Sequence, residues 1–424
     1  MVERTLTGVS PSTAPIPAIQ SFPTQSFQNA ALRILFMQSS SKTLSSLILF
    51  LIAYPSLLAG ESLSIEHRIA AIAEGRFHGW PANNGVWQWG NEILVGLTQG
   101  DFAVKDGHNI SGRQQSLFAR SRDGGDRWEM FDPKGFLDDG NPKYLGKGKR
   151  PLERPMDFSH PGFALRFFAT GYHGNDDPEG GFFYSYDRGE TWEGPYLLKG
   201  LTGHPEMQGK VFSQRTDYLI QSKDRCFAFI TTDDSVADHR RIAAIQTTDG
   251  GMTFEFVSWV TPVFDTARGT MSQTIQLNER EFVLSFRKIE SGAGKQSSIE
   301  AYRSNDACGI WQPLSTVKVM QVNSNPPALV RMQDGRLCCA YGDRKTAEIR
   351  GRYSDDEGAS WGPEFIIRDD FQSVADDPDA GTRLNADLGY VRLVQRPDGK
   401  LVAMYYWATA KNPQQHIAVS IWKP

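Results

Sequence analysis

The sequence predicts an all-β fold, a six-bladed β-propeller, and three observations lead there. An octapeptide recurs along the chain, short strand-like runs flank each copy, and the composition suits strands joined by tight turns. Among 424 residues there are 40 Gly, 23 Pro and 10 Trp, and aromatic residues make up 11%. That usage favours short pleated segments punctuated by turns.

The octapeptide reads Ser or Thr, any residue, Asp, any residue, Gly, any residue, a Thr-like residue, and an aromatic. Copies lie at Ser121–Trp128, Ser185–Trp192, Thr247–Phe254 and Ser354–Trp361, with a degenerate one at Ser304–Trp311 that carries Cys308 in place of Gly. In chain order the copies start 64, 62, 57 and 50 residues apart. The chemistry is that of a hairpin turn: Asp accepts from nearby backbone N–H groups, Gly takes a positive φ, and the aromatic ring folds back onto apolar neighbours. Each copy follows a run such as SLFAR, GGFFY, RIAAI or AEIRGRY, and another run precedes each of those (NEILVGL, FALRFFAT, CFAFITT, EFVLSF, RLCCAY). A unit of that length with about four strands is one propeller blade. Such octapeptides are Asp boxes, and five blades are expected to end with the five boxes.

A sixth set of strands follows in YVRLVQR, LVAMYYW and IAVSIW, with no fourth strand after it. The apolar stretch Ile65–Ala73 is expected to supply that strand and close the ring, which removes free edges. The propeller is therefore placed at residues 61–424. Residues 1–36 are rich in Ser, Thr, Pro and Gln and show no apolar periodicity. From Met37 a different pattern begins: Lys42 as a positive start, an uncharged run from Leu44 to Leu58, then the small residues Ala59 and Gly60. That is the layout of a secretory signal peptide, and the run is short for a membrane span, which needs about 20 residues. Met37 is the expected start, residues 1–60 an extension plus signal, and the mature protein secreted or periplasmic without stable membrane insertion.

Charge and cysteine exclude other classes. With 45 Lys+Arg against 49 Asp+Glu, the net charge is −4, which does not provide the concentrated basic face a nucleic-acid binder needs. Cys226, Cys308, Cys338 and Cys339 show no metal-ligand spacing, so neither a zinc site nor a disulfide scaffold is expected. No cofactor and no metal is anticipated.

In a propeller the innermost strands converge on a central channel, and residues at the starts of first strands and the ends of second strands face a ligand there. The first-strand starts bring Trp80, Asp217 with Tyr218, Gln273, Asn325, and Asp387 with Tyr390. The second-strand ends bring Asp101, Arg166, Arg287, Arg344 and Tyr406. Arg287 and Arg344 occupy equivalent places in consecutive blades, where two guanidiniums form a fork for a carboxylate, sulfate or phosphate. Each is equally suited to pair with a rim carboxylate instead. His78 and His173 are further mouth candidates, and Trp80, Trp87 and Trp89 offer aromatic faces for a sugar or for packing.

The boxes, the six units and the paired arginines resemble the sialidases (neuraminidases) over roughly Ile65 to Pro424. The segment from Gly389 to Leu401 is similar to the sialidase strand that a Tyr opens and an Asp-Gly turn follows. The resemblance implies a retaining exo-glycosidase, with Tyr390 as nucleophile and Arg287 and Arg344 as two of three arginines clamping the sugar carboxylate. A neutral Tyr avoids the repulsion a carboxylate nucleophile meets with an anionic sugar. It requires a base within reach, for which Asp387 and Asp217 are the candidates. For the acid/base the chain offers Asp101, with Asp106 further on. The family's Phe-Arg-Ile-Pro motif is replaced by His78-Gly79-Trp80-Pro81, and Arg76 lies three residues before its arginine. Gln273 stands where the family has Glu, and so does Tyr406. The substrate-binding set expected is thus Arg76, Arg287, Arg344, Arg166, Trp80, Tyr218 and Gln273. The expected partner is a glycan with an anionic terminal sugar. A hydrolase or lyase on another acidic glycan, and a non-catalytic glycan- or protein-binding propeller, remain the competing functions, since the fold alone implies no activity.

Overall fold

The computed structural model describes residues 63–105, 107–133, 148–168, 179–213, 215–234, 237–290, 296–321, 325–373 and 386–424. The signal-like segment, Asp106, His173 and the loops between these stretches lie outside the described residues. Among those described, no helix is long and apolar enough to cross a membrane.

Alternation of apolar and small residues makes the strands, and the strands assemble into six antiparallel sheets. Blade 1 runs outward from Arg76–Gly79 through Glu92–Phe102 and Ile110–Ser121 to Glu129–Phe131, with Val86–Trp89 also pairing to the second strand. Its inner strand is interrupted by a single helical turn, Pro81–Asn84. The sequence placed a first-strand start at Trp80, but Pro81 has no N–H for the ladder and suits a first helical position. Blade 2 is Ala164–Phe168, Gly181–Ser185 and Glu193–Tyr196, and no regular inner strand occurs among its described residues. Blade 3 is built on Lys210–Ser213 with Tyr218–Ile220, then Cys226–Asp234, Ala237–Thr247 and Glu255–Trp259. Blade 4 is Ala267–Gln276, Phe282–Glu290, Ser297–Ser304 and Gln312–Met320, and blade 5 is Ala328–Arg331, Leu337–Asp343, Glu348–Ser354 and Phe365–Arg368.

Blade 6 joins Gly389–Gln395, Leu401–Trp407 and His416–Trp422 to Ile65–Ala71, which runs antiparallel to His416–Trp422 with Ile65 opposite Trp422. The expected closure by an N-terminal strand is present, and it leaves the last strand no open edge.

Each strand sends alternate side chains to the two neighbouring blades. In blade 5, Leu337, Cys339 and Tyr341 pack toward blade 4, while Cys338 and Ala340 pack toward blade 6. The same division yields an apolar cluster at each of the six blade junctions. All four cysteines are free and buried in these layers.

The boxes do not end their blades; they connect the third strand to the fourth, which follows the aromatic residue. In the second copy Ser185 Oγ donates to Asp187 at 2.7 Å, Gly189 N donates to Ser185 Oγ at 2.8 Å, and Thr191 N donates to Asp187 at 2.9 Å. Gly189 adopts φ 84°, and a Cβ there would lie 2.4 Å from Leu94 Cδ2. Cys308, in the degenerate copy, accepts the same left-handed conformation at φ 68°. Burial works against ionisation of Asp123, Asp187, Asp249 and Asp306, but turn hydrogen bonds hold all four carboxyls below the ordinary value of 3.8. A carboxyl depressed on folding stabilises the fold above its unfolded pKa, and that contribution is lost as pH falls through the folded value. We expect Asp187→Ala to cost about 1–3 kcal/mol at neutral pH, because it strands turn donors. The deficit should shrink below about pH 4, where wild type loses the same interaction. Urea unfolding of both proteins at pH 7 and at about pH 3.5 checks this.

Candidate functional site

Three non-glycine residues on the inner strands take positive φ: Trp80 (59°), Met271 (58°) and Tyr390 (53°). Strand register shifts at Met271 and Tyr390, between Thr270 and Gln273 and between Gly389 and Arg392. All three side chains join the same apolar cluster. Left-handed backbone at a bulky residue is costly and persists where surroundings over-determine it, commonly at functional sites.

Tyr390 shows how that is done. Its N–H donates to Asn325 Oδ1 at 3.2 Å, and Asn325 Nδ2 donates to Gly342 O at 3.2 Å. Gly389, at φ 103°, lets the chain pass, since a Cβ there would lie 2.7 Å from Asn325 Cγ. We expect Gly389→Ala to lower stability by about 1–3 kcal/mol and to displace Tyr390, because both the conformation and the buried Asn325 oppose the methyl. A thermal melt compared with wild type reads the first effect.

Around Tyr390 stands a polar cluster at one mouth of the channel. Asp387, just before the inner strand of blade 6, is 5% exposed. It accepts from Tyr406 Oη at 2.7 Å, from His108 Nδ1 at 2.7 Å, and from Asn109 N at 2.9 Å. Burial opposes its charge, but His108, Arg344 and Asn109 N–H hold its carboxyl below the usual range. Arg344 Nη2 donates to Tyr406 Oη at 2.9 Å and lies 4.0 Å from Asp387. The Arg344 guanidinium is 6.0 Å from the centroid of the Tyr390 ring. Burial and the Asp387 charge push the Tyr406 phenol well up, so it stays a neutral bridge between Asp387 and Arg344. Tyr390 and Tyr406 meet edge to face at 5.9 Å, and the Tyr390 hydroxyl makes no hydrogen bond among the described residues.

His108 completes the cluster from the connection between the second and third strands of blade 1. Its ring packs at 5.0 Å from Trp80 and 6.4 Å from Tyr390, edge to face in both cases. Trp80 thus lies at the mouth, supported by Phe77 at 5.2 Å. Arg287, in the second strand of blade 4 opposite Thr270, is buried.

Other expected site residues are elsewhere or otherwise engaged. Asp217 accepts from Ser272 Oγ at 2.8 Å, Thr274 N at 3.0 Å and Thr274 Oγ1 at 2.9 Å, and burial raises its carboxyl pKa. It is a buried acceptor tying blade 3 to blade 4, and none of these bonds reaches Tyr390. Gln273 accepts from Arg392, whose Nη2 also donates to Ala82 O at 2.7 Å and Thr216 O at 2.9 Å. Burial lowers the Arg392 pKa to about 10 despite Asp217 nearby. Gln273, Arg392, Asp217 and Tyr218 line a separate cavity of about 520 Å³ with Trp87 and Trp89 in its wall. Asp101 pairs with Arg76, and both line a small cleft with Arg113 and Gln115. Arg166 donates to Asn84 Oδ1 at 2.6 Å beneath the mouth-side helical turn. His78 is buried, bonded to Gln99, and burial lowers its pKa to about 4. Among the described residues no three His, Cys, Asp or Glu side chains group as a metal site.

Sequence reasoning missed three contributors: His108, Asn325 as the clamp on Tyr390, and Arg392 as the bolt across the inner strands. Asn325, at a first-strand start, and Arg392, within the stretch Gly389 to Leu401, lay in segments singled out beforehand, and His108 did not.

Residues 116–403 match the model of the BNR repeat-like domain. No curated protein sequence matches the chain. A protein of unknown function from Dyadobacter fermentans shares 20% identity, with a TM-score of 0.59 over 85% of this chain and 99% of that one. The Trypanosoma rangeli sialidase in complex with 2,3-difluorosialic acid, described as a covalent intermediate, has a TM-score of 0.53 at 11% identity, covering 85% and 59%. A Hadza microbial sialidase has a TM-score of 0.52 at 14% identity, covering 82% and 66%. The chain therefore spans about two thirds of these sialidases or less, and its fold is a sialidase-like six-bladed propeller.

Proposed function

Because the chain belongs to the BNR repeat-like domain family, we propose that it is a secreted glycoside hydrolase that removes an anionic terminal sugar from glycans. The observation that carries this reading is the meeting of Tyr390, held in a left-handed conformation, with the buried Arg344 guanidinium 6.0 Å from its ring. In a retaining mechanism Tyr390 Oη attacks the anomeric carbon, and water later releases the sugar with its configuration kept. Arg344 and Arg287 hold the sugar carboxylate as planar forks. Trp80 offers an aromatic face beside them. The sialidase neighbour captured as a covalent intermediate supports a mouth of this kind in such a propeller.

The choice of sugar follows from what blade 1 contributes. Arg76 is tied to Asp101, so two arginines from blades 4 and 5 form the clamp. A uronic acid suits a two-arginine clamp as well as a sialic acid does. The test is turnover of 4-nitrophenyl α-sialoside, β-glucuronide and α-galacturonide against neutral glycosides. Release from at least one carboxylated substrate and none from neutral ones is expected. Saturable binding of the carboxylated sugars without turnover would support a non-catalytic propeller instead.

Residues 1–60 serve export in this reading, with the signal over about residues 37–60 and the mature domain at 61–424. Deleting residues 1–60 is expected to leave a protein that unfolds cooperatively at an unchanged melting temperature. Loss of cooperative unfolding would place the domain boundary further upstream.

A further inference from the structure

Resting on that reading of the mouth, the geometry points to His108, backed by Asp387, as the general base that activates Tyr390. The sequence offered carboxylates for this task, and the structure engages them otherwise. Asp217 is held by Ser272 and Thr274, and Asp387 by Tyr406, His108 and Asn109. His108 and Tyr406 both link Asp387 to Tyr390, and of the two only the imidazole is suited to take up a proton, since the Tyr406 hydroxyl already donates to Asp387 and accepts from Arg344. His108 Nδ1 lies 2.7 Å from the ionised Asp387, so Nδ1 carries the hydrogen and donates it. That leaves the Nε2 lone pair as acceptor, and Nε2 makes no hydrogen bond among the described residues.

The ring is also aimed and held. Trp80 and Tyr390 flank it edge to face, at 5.0 and 6.4 Å between centroids. Its side chain is 34% exposed, against 4% for Asp387. Nucleophile, imidazole and buried carboxylate then stand in the order that activates hydroxyl nucleophiles generally: the carboxylate fixes the tautomer and stabilises the imidazolium as it forms. An empty site commonly shows such a nucleophile–base contact loosened, tightening when substrate binds.

The steps balance as follows. His108 Nε2 takes the Tyr390 phenol proton as Tyr390 Oη bonds to the anomeric carbon. The bond from that carbon to the aglycone oxygen breaks, and the departing oxygen takes its proton from water. The resulting hydroxide attacks the anomeric carbon, the bond to Tyr390 Oη breaks, and the phenolate recovers its proton from the imidazolium. One water is consumed and one glycosidic bond is cleaved.

The test uses the 4-nitrophenyl glycoside that wild type cleaves best, since nitrophenolate leaves without needing a proton. His108→Ala is expected to lower kcat/KM by about 10²–10⁴-fold, and added imidazole should restore part of the loss. Asp387→Asn should reproduce most of the loss without imidazole rescue, because the ring remains in place with its orientation and charge balance altered. His108→Ala within about threefold of wild type, while Tyr390→Phe is inactive, overturns the assignment of His108 and leaves the reading of the mouth intact. A large His108→Ala loss with an unchanged melting temperature and no imidazole rescue also overturns it. Wild type inactive on every glycoside overturns both the reading and the assignment.

Discussion

Tyr390→Phe is expected to lower turnover by about 10³-fold or more while ligand affinity stays within about threefold of wild type. The substitution removes one hydroxyl, and that hydroxyl makes no hydrogen bond among the described residues, so nothing in the packing loses a partner. The ring contacts with His108 and Tyr406 and the backbone hydrogen bond to Asn325 persist. The melting temperature is therefore expected to stay within a degree or two. A structural tyrosine would give the reverse, a lower melting temperature with turnover preserved. Stopped assays with the best 4-nitrophenyl glycoside, isothermal titration with a non-hydrolysable analogue and a thermal melt distinguish the two.

Arg344→Lys is expected to weaken binding of carboxylated ligands by about 10–100-fold, with neutral sugars unaffected. Hydrogen bonds to charged groups contribute about 1.5–3 kcal/mol, and an ammonium cannot reproduce a planar two-point fork. Arg344 also donates to Tyr406 Oη at 2.9 Å. Lysine retains the positive charge beside Asp387, so the Asp387–Tyr406–His108 cluster should stay assembled. Kd values for sialic, glucuronic and galacturonic acids measured against their neutral counterparts read the effect. Equal affinity in wild type and Arg344→Lys would show that the carboxylate is held elsewhere.

The parts of the fold legible in the sequence are those that repeat. The boxes recur because the Ser–Asp–Gly hydrogen-bond pattern needs the same residues at the same offsets. The closing strand was legible because six units need a last outer strand and Ile65–Ala71 was the apolar run left over. What interrupts the repeat was not legible. Pro81 broke the inner strand of blade 1 into a helical turn, and blade 2 shows no regular inner strand among its described residues. At the mouth, Tyr390, Asp387 and Arg344 were readable from their places at strand starts and ends. His108 was not: it sits alone on a connection after Gly107, and its partner Asp387 lies 279 residues away. Tyr406 was readable as a second-strand end, but nothing local in the apolar run LVAMYYW marks its phenol as a bridge between an arginine and an aspartate. Asp217 misled for the opposite reason. It occupies the right kind of position, but Ser272 and Thr274 one blade over satisfy its carboxylate, and such partners are invisible without register.

The claim at the centre of this account is that the mouth around Tyr390 binds an anionic sugar. A crystal structure of the protein soaked with a non-hydrolysable analogue of the carboxylated sugar it binds best, sialic or uronic, tests it most directly. The expected density places the carboxylate between Arg344 and Arg287, with the ring beside Tyr390 and within reach of His108. Density for the analogue only in the cavity lined by Trp87, Trp89 and Arg392, or none at the mouth at saturating concentration, would contradict it.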